Sequence, residues 1–203
     1  MASVVEIHLQ RRDSARAAEV TAAIILAAGA SSRMGMPKAN LPFRGGTFLS
    51  HLTAKLAAHC HPVLTVTGAH LLPAFGPQVH NPNWRQGQLT SLQCGVRAIP
   101  EAHSTLFTLV DHPDPADATI AALLNSMALI AIPVYNGRKG HPVFFQSALI
   151  PEFLALPQTA SAKEVFRRHI ASTEYIPVND AGVTDDIDDP TALAAFRART
   201  EHA

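Results

Sequence analysis

The chain has 203 residues, 47% hydrophobic and 16% charged, with sixteen Lys and Arg against sixteen Asp and Glu. That composition describes a globular protein with a sizeable core, and a net charge of zero gives no reason to expect a nucleic-acid partner. No apolar run approaches the ~20 residues needed to cross a membrane, so none is expected as a partner, and Cys60 and Cys94 form no C-x-x-C or zinc spacing, which fits two buried reduced thiols in a cytoplasmic protein.

Residues 1–20 contain Arg11, Arg12, Asp13, Arg16 and Glu19 and no apolar stretch of the kind a secretory leader carries. They read as a frayed or loosely docked N-terminal extension, ahead of one domain over residues 21–203. Eleven histidines are scattered along the chain, and His59 and His61, which bracket Cys60, read as solvated loop residues rather than metal ligands.

The first regular element is the apolar run Ala22 to Leu26, a buried parallel strand. Leu26, Ala27, Ala28, Gly29, Ala30, Ser31 and Ser32 then bring small side chains into a loop where backbone N–H groups can approach a bound anion. Arg33 and Lys38 add two positive charges, so strand, loop and cations together suit a nucleoside triphosphate. The P-loop pattern is excluded, because five residues separate Gly29 from Gly35 and Met36-Pro37 precedes Lys38. No Gly-x-Gly-x-x-Gly occurs either, which excludes the dinucleotide fingerprint. The loop taken alone also fits a glycine-rich turn with a solvated Arg and Lys.

Leu-Ala-Ala-Gly-x-Ser-x-Arg-Met-Gly-x-x-Lys, complete over Leu26 to Lys38, resembles the signature loop of nucleotidyltransferases with a Rossmann-like α/β fold, and most closely the molybdenum cofactor cytidylyltransferases. Further on, Leu41-Pro42-Phe43 and Gly45-Gly46 predict a tight turn or short hairpin, and Phe48, Leu49, Leu52 and Leu56 predict a helix over Thr47 to Ala58 capped by Thr47 or Ser50. Pro62 to Gly68 reads as a second strand. Pro73 and Pro77 restrict any helix between Leu71 and Gln78 to a short one, and Gln78 to His80 reads as a third strand.

Asn81-Pro82 marks a turn, and Thr90 or Ser91 is a candidate cap for a helix running to Pro100. Asn81, Pro82, Trp84, Gly87, Ser91, Leu92 and Gly95 resemble the family segment that encloses base and ribose. The resemblance thereby implies nucleotide contacts at Gly87, Ser91 and Gly95 and a preference for CTP. A capped helix with Trp84 packed on the sheet fits the same residues.

Ser104 to Val110 is an apolar strand ending at Asp111-His112-Pro113. A carboxylate at the carboxyl end of such a strand lies where open α/β sheets bind ligands, although Asp-x-Pro is also a common turn. His112 departs from the Gln or Met that the family usually has between this Asp and Pro. A helix over Ala116 to Met127 follows, then a strand from Leu129 to Tyr135 that Pro133 places near an edge, the turn Asn136-Gly137, and the strand Val143 to Gln146. The stretch Tyr-x-Gly-Arg-x-Gly-His-Pro-Val again resembles the family and implies an acceptor pocket shaped by His112, Arg138, Gly140 and His141. A solvated basic hairpin is the alternative.

Short helices are predicted over Ala148 to Leu156 and Ser161 to His169, and a strand over Glu174 to Val178. Ala160 to Lys163 lacks the glycines that the family carries there. Asp185 to Pro190 resembles the family's closing Asp-Ile-Asp-Thr-Pro and precedes a helix over Thr191 to Arg199. Four carboxylates within these six residues repel one another, which a cation would relieve.

The alternation of strands and helices predicts a three-layer α/β domain with a mostly parallel, twisted sheet. The resemblance implies Mg²⁺-dependent transfer of a nucleotidyl group, CMP first, to a phosphorylated small-molecule acceptor such as molybdopterin, with an acceptor molybdoenzyme as a protein partner. Asp111 and Asp188 would hold the metal, each expected at the end of an apolar strand, with Asp186 a step further away. Arg33 and Lys38 would hold the outer phosphates. The alternatives are GTP with the same acceptor, a sugar or polyol phosphate acceptor, and a nucleotide-binding chaperone without turnover.

Overall fold

A computed structural model of the chain describes residues 20–200, so the expected N-terminal extension lies, Val20 excepted, outside the described residues. The elements, in chain order, begin with β1 (Thr21–Ala27), the two-residue strands β2 (Pro42–Phe43) and β3 (Gly46–Thr47), and α1 (Phe48–Ala57). They continue through β4 (Val63–Thr67), β5 (Gln78–His80), α2 (Gln88–Arg97), β6 (Ser104–Leu109) and α3 (Asp117–Leu124). Strands β7 (Ile130–Tyr135), β8 (Arg138–Lys139) and β9 (Val143–Gln146) are followed by α4 (Ile150–Ala155), α5 (Lys163–Arg168), β10 (Thr173–Pro177) and α6 (Pro190–Thr200).

The main sheet runs β10-β7-β9-β6-β1-β4-β5, with β8 paired to β7. Pairing is parallel except for β9, antiparallel to both β6 and β7, and β8, antiparallel to β7. Strand β1 shows why such a sheet needs two helical layers. Ala23, Ile25 and Ala27 face α1, α3 and α6, whereas Ala22, Ile24 and Leu26 face α2, α4 and α5. Both faces of the strand are therefore buried, as expected of a central parallel strand. The three-layer α/β architecture agrees with expectation.

The capped helix holds: Thr47 Oγ1 accepts from the Ser50 N–H at 3.2 Å, and Ser50 Oγ accepts from the Thr47 N–H at 2.8 Å, a reciprocal capping box. The 71–77 stretch forms no helix, since two prolines interrupt it, and leaves Leu71 fully exposed. Helix α2 starts at Gln88, with Gly87 and not Thr90 or Ser91 at its cap. Thr90 instead donates from within the helix to the carbonyls of Gly87 (2.8 Å) and Asn83 (3.0 Å). Cys60 is buried, and its thiol is pushed up to about 12 by that burial, while Cys94 is only half-buried. His59 Nε2 lies 2.9 Å from Asp117 rather than free in solvent.

The chain switches direction across the sheet at β1. After β1 it builds β4 and β5 on one side, then crosses to β6 on the other. Such a reversal opens a crevice at the carboxyl ends of the two strands beside it, and the loops after β1 and β6 meet there.

Candidate active site

The loop after β1 turns tightly, with Ser31 at φ 52° and Gly35 at φ 68°. Ser31 Oγ accepts from the Lys38 N–H at 3.0 Å, tying the end of the loop to its middle. Lys38 then enters a short 3-10 turn (Lys38–Asn40) that is buried at Lys38 and Ala39. The neighbouring 68–70 stretch braces the loop: the Ala69 N–H donates to the Ala28 carbonyl at 3.0 Å, and His70 Nε2 lies 2.9 Å from the Ala30 carbonyl oxygen.

The Lys38 ammonium lies 2.7 Å from Asp111 Oδ2 and 2.6 Å from Asp188 Oδ1. Burial works to lower its pKa, but the two carboxylates outweigh that and leave it raised. The Arg33 guanidinium lies 2.6 Å from Asp188 Oδ2. The hydrogen bond from Lys38, followed by the one from Arg33, holds the Asp188 carboxyl below the usual range. Asp186 moves the opposite way, raised first by loss of solvation and then by the charges of Asp111 and Asp188.

Carboxylate oxygens of Asp111, Asp186 and Asp188 lie within 4.8 Å of one another. Three carboxylates against Arg33 and Lys38 leave the cluster one net negative charge. Asp111 Oδ1 is shut off from solvent and has no hydrogen-bond partner among the described residues. An orphaned anionic oxygen within a set of hard oxygen donors fits a divalent cation such as Mg²⁺.

The cleft beside this cluster has a volume of about 320 Å³. It is lined by Leu26, Ala27, Ala28, Gly29, Ala30, Ser31, Ser32, Arg33 and Lys38 from the β1 side, and by Trp84, Gly87, Gln88 and Ser91 from the start of α2. Asp111 and Asp188 complete it. Gly87 sits at φ 120°, a conformation open to glycine almost alone, and so turns the chain sharply into α2. The N-terminus of α2 thereby borders the cleft and contributes the positive end of its dipole. Buried Asn81 sets this turn: its amide donates to Thr90 Oγ1 (2.9 Å) and Ser91 Oγ (3.0 Å), and its oxygen accepts from the Asn83 N–H (2.9 Å).

A family profile described as the MobA-like NTP transferase domain matches residues 23–173, which include the loop after β1, the α2 turn and Asp111. The chain belongs to this family. The molybdenum cofactor cytidylyltransferase of Escherichia coli is 30% identical to it over 191 residues, spanning 87% of this chain and 95% of its own. The probable molybdenum cofactor guanylyltransferase of Mycobacterium ulcerans is 25% identical over 185 residues, 86% of this chain and 92% of its own. A solved nucleotidyl transferase from Methanothermobacter matches the fold with a TM-score of 0.75 at 20% identity, covering 90% of this chain and 98% of its own. The protein is thus a nucleotidyltransferase of the MobA-like family with its Rossmann-like fold. No helix among the described residues is long and apolar enough to cross a membrane.

Within this MobA-like framework several expected positions shift. Gly95 does not line the cleft. A Cβ there would stand 2.9 Å from Ile24 Cγ2 and 3.1 Å from Val66 Cγ2, so the glycine serves the close approach of α2 to the sheet. Asp188 does not end a strand: residues 185–189 form no regular element and follow a 3-10 turn (Ala181–Thr184). Asp186 is not a step further away but joins the same carboxylate group. Alternation along a strand was the wrong guide because no strand exists there.

Of the expected acceptor residues, His112 and His141 meet, with ring centroids 4.8 Å apart. Burial lowers His112 to about 4 and His141 to about 3, so both rings are neutral at pH 7. Gly140 lies against Val183, whose carbonyl oxygen would overlap a Cβ on Gly140 and accepts the His141 N–H at 2.8 Å. Arg138 is exposed on β8 of the hairpin that Asn136-Gly137 turns. Gln88 is a lining residue that no motif singled out; it comes to the cleft only because α2 starts earlier than its Thr and Ser suggest.

Proposed function

We propose that this nucleotidyltransferase transfers CMP from CTP to a phosphate-bearing acceptor, molybdopterin in the first instance, and releases pyrophosphate. The observation that carries the reading is the convergence of Asp111, Asp186 and Asp188 with Lys38 and Arg33 at one end of a small-residue cleft. In this reaction an acceptor phosphate oxygen attacks the α-phosphorus of the triphosphate, and the bond to the bridging oxygen of pyrophosphate breaks. Catalysis is then chiefly positioning and charge neutralisation, with no covalent side-chain intermediate.

Each group has a separate part. Backbone N–H groups of the Ala28 to Ser32 loop and the N-terminus of α2 cradle the phosphates and the ribose. Lys38 and Arg33 neutralise the outer phosphates and the departing pyrophosphate. Asp111 and Asp188, joined by Asp186, would hold Mg²⁺, which supplies charge neutralisation at the phosphate oxygens when bound. The neutral His112 and His141 rings are assigned to the acceptor side, where they would shape the pocket without adding charge. A cytoplasmic setting accords with two unpaired cysteines.

CTP is preferred over GTP in this reading because a relative named as a cytidylyltransferase is 30% identical, against 25% and 27% for relatives named as guanylyltransferases. The test is a thermal shift series with CTP, GTP, ATP and UTP plus Mg²⁺, followed by pyrophosphate release with molybdopterin. A nucleotide at about 100 times its Kd stabilises the fold by roughly 2.7 kcal/mol, which a melting curve resolves. CTP should give the largest shift and support turnover. Tenfold tighter binding of GTP, about 1.4 kcal/mol, would replace CMP transfer with GMP transfer.

A further inference from the structure

Asp180 is absent from the cleft lining, yet its carboxylate joins the two stretches that supply the acidic cluster. Asp180 Oδ2 accepts from the Ala116 N–H and from the Thr119 hydroxyl, both at 2.8 Å. Asp180 Oδ1 accepts from the Gly182 N–H at 2.9 Å. The first two donors belong to the chain that runs from Asp111 into α3. The third opens the 3-10 turn that leads to Asp186 and Asp188.

The two stretches touch closely along this line. A Cβ on Gly182 would stand 2.5 Å from the Asp114 carbonyl oxygen. Further along, the Ile187 N–H donates to the Asp111 carbonyl at 3.3 Å, and Val183 and Ile187 are buried at 0% and 2% exposure. The 180–188 segment has no strand pairing of its own, so its placement depends on these contacts together with the His141 N–H bond to the Val183 carbonyl, the Arg199–Asp185 pair and the Lys38 and Arg33 contacts with Asp188.

We propose that Asp180 is a positioning residue for the divalent-cation site. By accepting at both oxygens it locks the Gly182 to Asp188 segment in register with the Asp111 to Ala116 turn, and only that register brings Asp186 and Asp188 to Asp111. The inference rests on the nucleotide-and-metal reading given above. A carboxylate is required because the bridge needs acceptors at both ends. An amide has one acceptor oxygen and one donor nitrogen, so Asp180→Asn breaks one side of the bridge whichever way the amide turns. Groups that orient metal ligands matter in this way: losing one typically costs about 10–100-fold in metal affinity.

The test uses the full chain and Mn²⁺ as the probe, read by electron paramagnetic resonance with and without CTP. Wild type should bind Mn²⁺ more tightly with CTP present. Asp180→Asn should lose at least tenfold of that Mn²⁺ affinity, while CTP binding without metal stays within twofold, because the phosphate loop is untouched. Thr119→Val removes one donor on the α3 side only and leaves the Gly182 tie; it should keep its Mn²⁺ affinity and control for lost stability. Gly182→Ala keeps the Asp180 carboxylate but crowds the bridge itself, its Cβ standing 2.5 Å from the Asp114 carbonyl oxygen and 2.9 Å from Asp180 Oδ1, and should also weaken Mn²⁺ binding; it decides the matter if Asp180→Asn does not fold. Wild-type Mn²⁺ affinity in Asp180→Asn or in Gly182→Ala overturns the proposal, as does a loss in Thr119→Val equal to that in Asp180→Asn. Absence of any CTP-dependent Mn²⁺ binding in wild type would instead remove the underlying reading, and the proposal with it.

Discussion

In the proposed reaction, two partners would compete for the same pair of carboxylates. Lys38 Nζ lies between Asp111 and Asp188 at 2.7 and 2.6 Å, where a divalent cation would also be held. The Lys38 charge is equally the one assigned to the outer phosphates. A nucleotide that draws Lys38 away therefore frees the carboxylates for metal, and the two ligands should bind with positive coupling. Lys38→Met is expected to tighten Mn²⁺ binding in the absence of nucleotide, since it removes the competing cation. It should weaken CTP about ten- to hundredfold, the equivalent of one lost charge-assisted contact of roughly 1.5–3 kcal/mol. CMP, which lacks the outer phosphates, should lose far less. Calorimetry with both nucleotides measures this, and equal losses would disprove the assignment of Lys38. Asp111→Asn keeps the shape of the side chain and removes its charge, so pyrophosphate release should disappear while the melting temperature holds.

At the scale of elements, α2 couples the core to the cleft. Its inner face is packed through Leu89, Leu92 and Val96, and its first turn borders the cleft through Gln88 and Ser91. Gly95 permits that approach. Alanine would gain about 1 kcal/mol of helix propensity over glycine. The added Cβ, however, would stand 2.9 Å from Ile24 Cγ2, on a strand residue with 0% exposure. Overpacking of that kind costs about 1–3 kcal/mol, so the net effect of Gly95→Ala should be destabilising. Urea unfolding should show a lower midpoint, and CTP affinity should stay unchanged in the folded protein. A large loss of CTP affinity without loss of stability would return Gly95 to the nucleotide site.

Over the whole molecule, folding holds two histidines neutral. His112 falls to about 4 and His141 to about 3, burial being the largest cause for both, and in unfolded chains histidine titrates near 6.5. A depressed folded pKa means that the unfolded state takes up protons first. The stability is therefore fully present above about pH 6.5 and is lost as pH falls toward the folded values. Between pH 6.5 and 5 each histidine should remove about 2 kcal/mol. Asp114 does not contribute to that loss. Burial would raise its carboxyl, but hydrogen bonds from His51 and Lys55 and the charges of Lys55 and Arg44 hold it well below the usual range. Its contribution disappears only at far lower pH. Denaturant unfolding at pH 7 and 5 should show the fall in wild type and about half of it in His112→Gln, whereas a flat profile in wild type would contradict the neutral pair.

Features governed by near neighbours were legible in the chain as written. The run from Ala22 to Leu26 reads as a doubly buried strand, the small residues after it as a tight loop, and Asn136-Gly137 accepts the φ of 47° and 75° that its hairpin turn requires. Thr47 and Ser50 carry their own capping box. The tight turn of the loop after β1 was legible for the same reason, since it is built from consecutive residues. What escaped the sequence depends on groups far apart along it. Lys38 meets Asp111 and Asp188 across 73 and 150 residues, and no local pattern states that distance. Asp186 joins Asp111 because the 180–188 segment is held by contacts from distant stretches, the turn after β6 and His141 among them, and not by strand pairing. Gly95 looks like part of a binding motif until Ile24 and Val66 are placed beneath it. Local backbone preference writes elements into a sequence, but packing between distant elements decides which charges come to share one cleft.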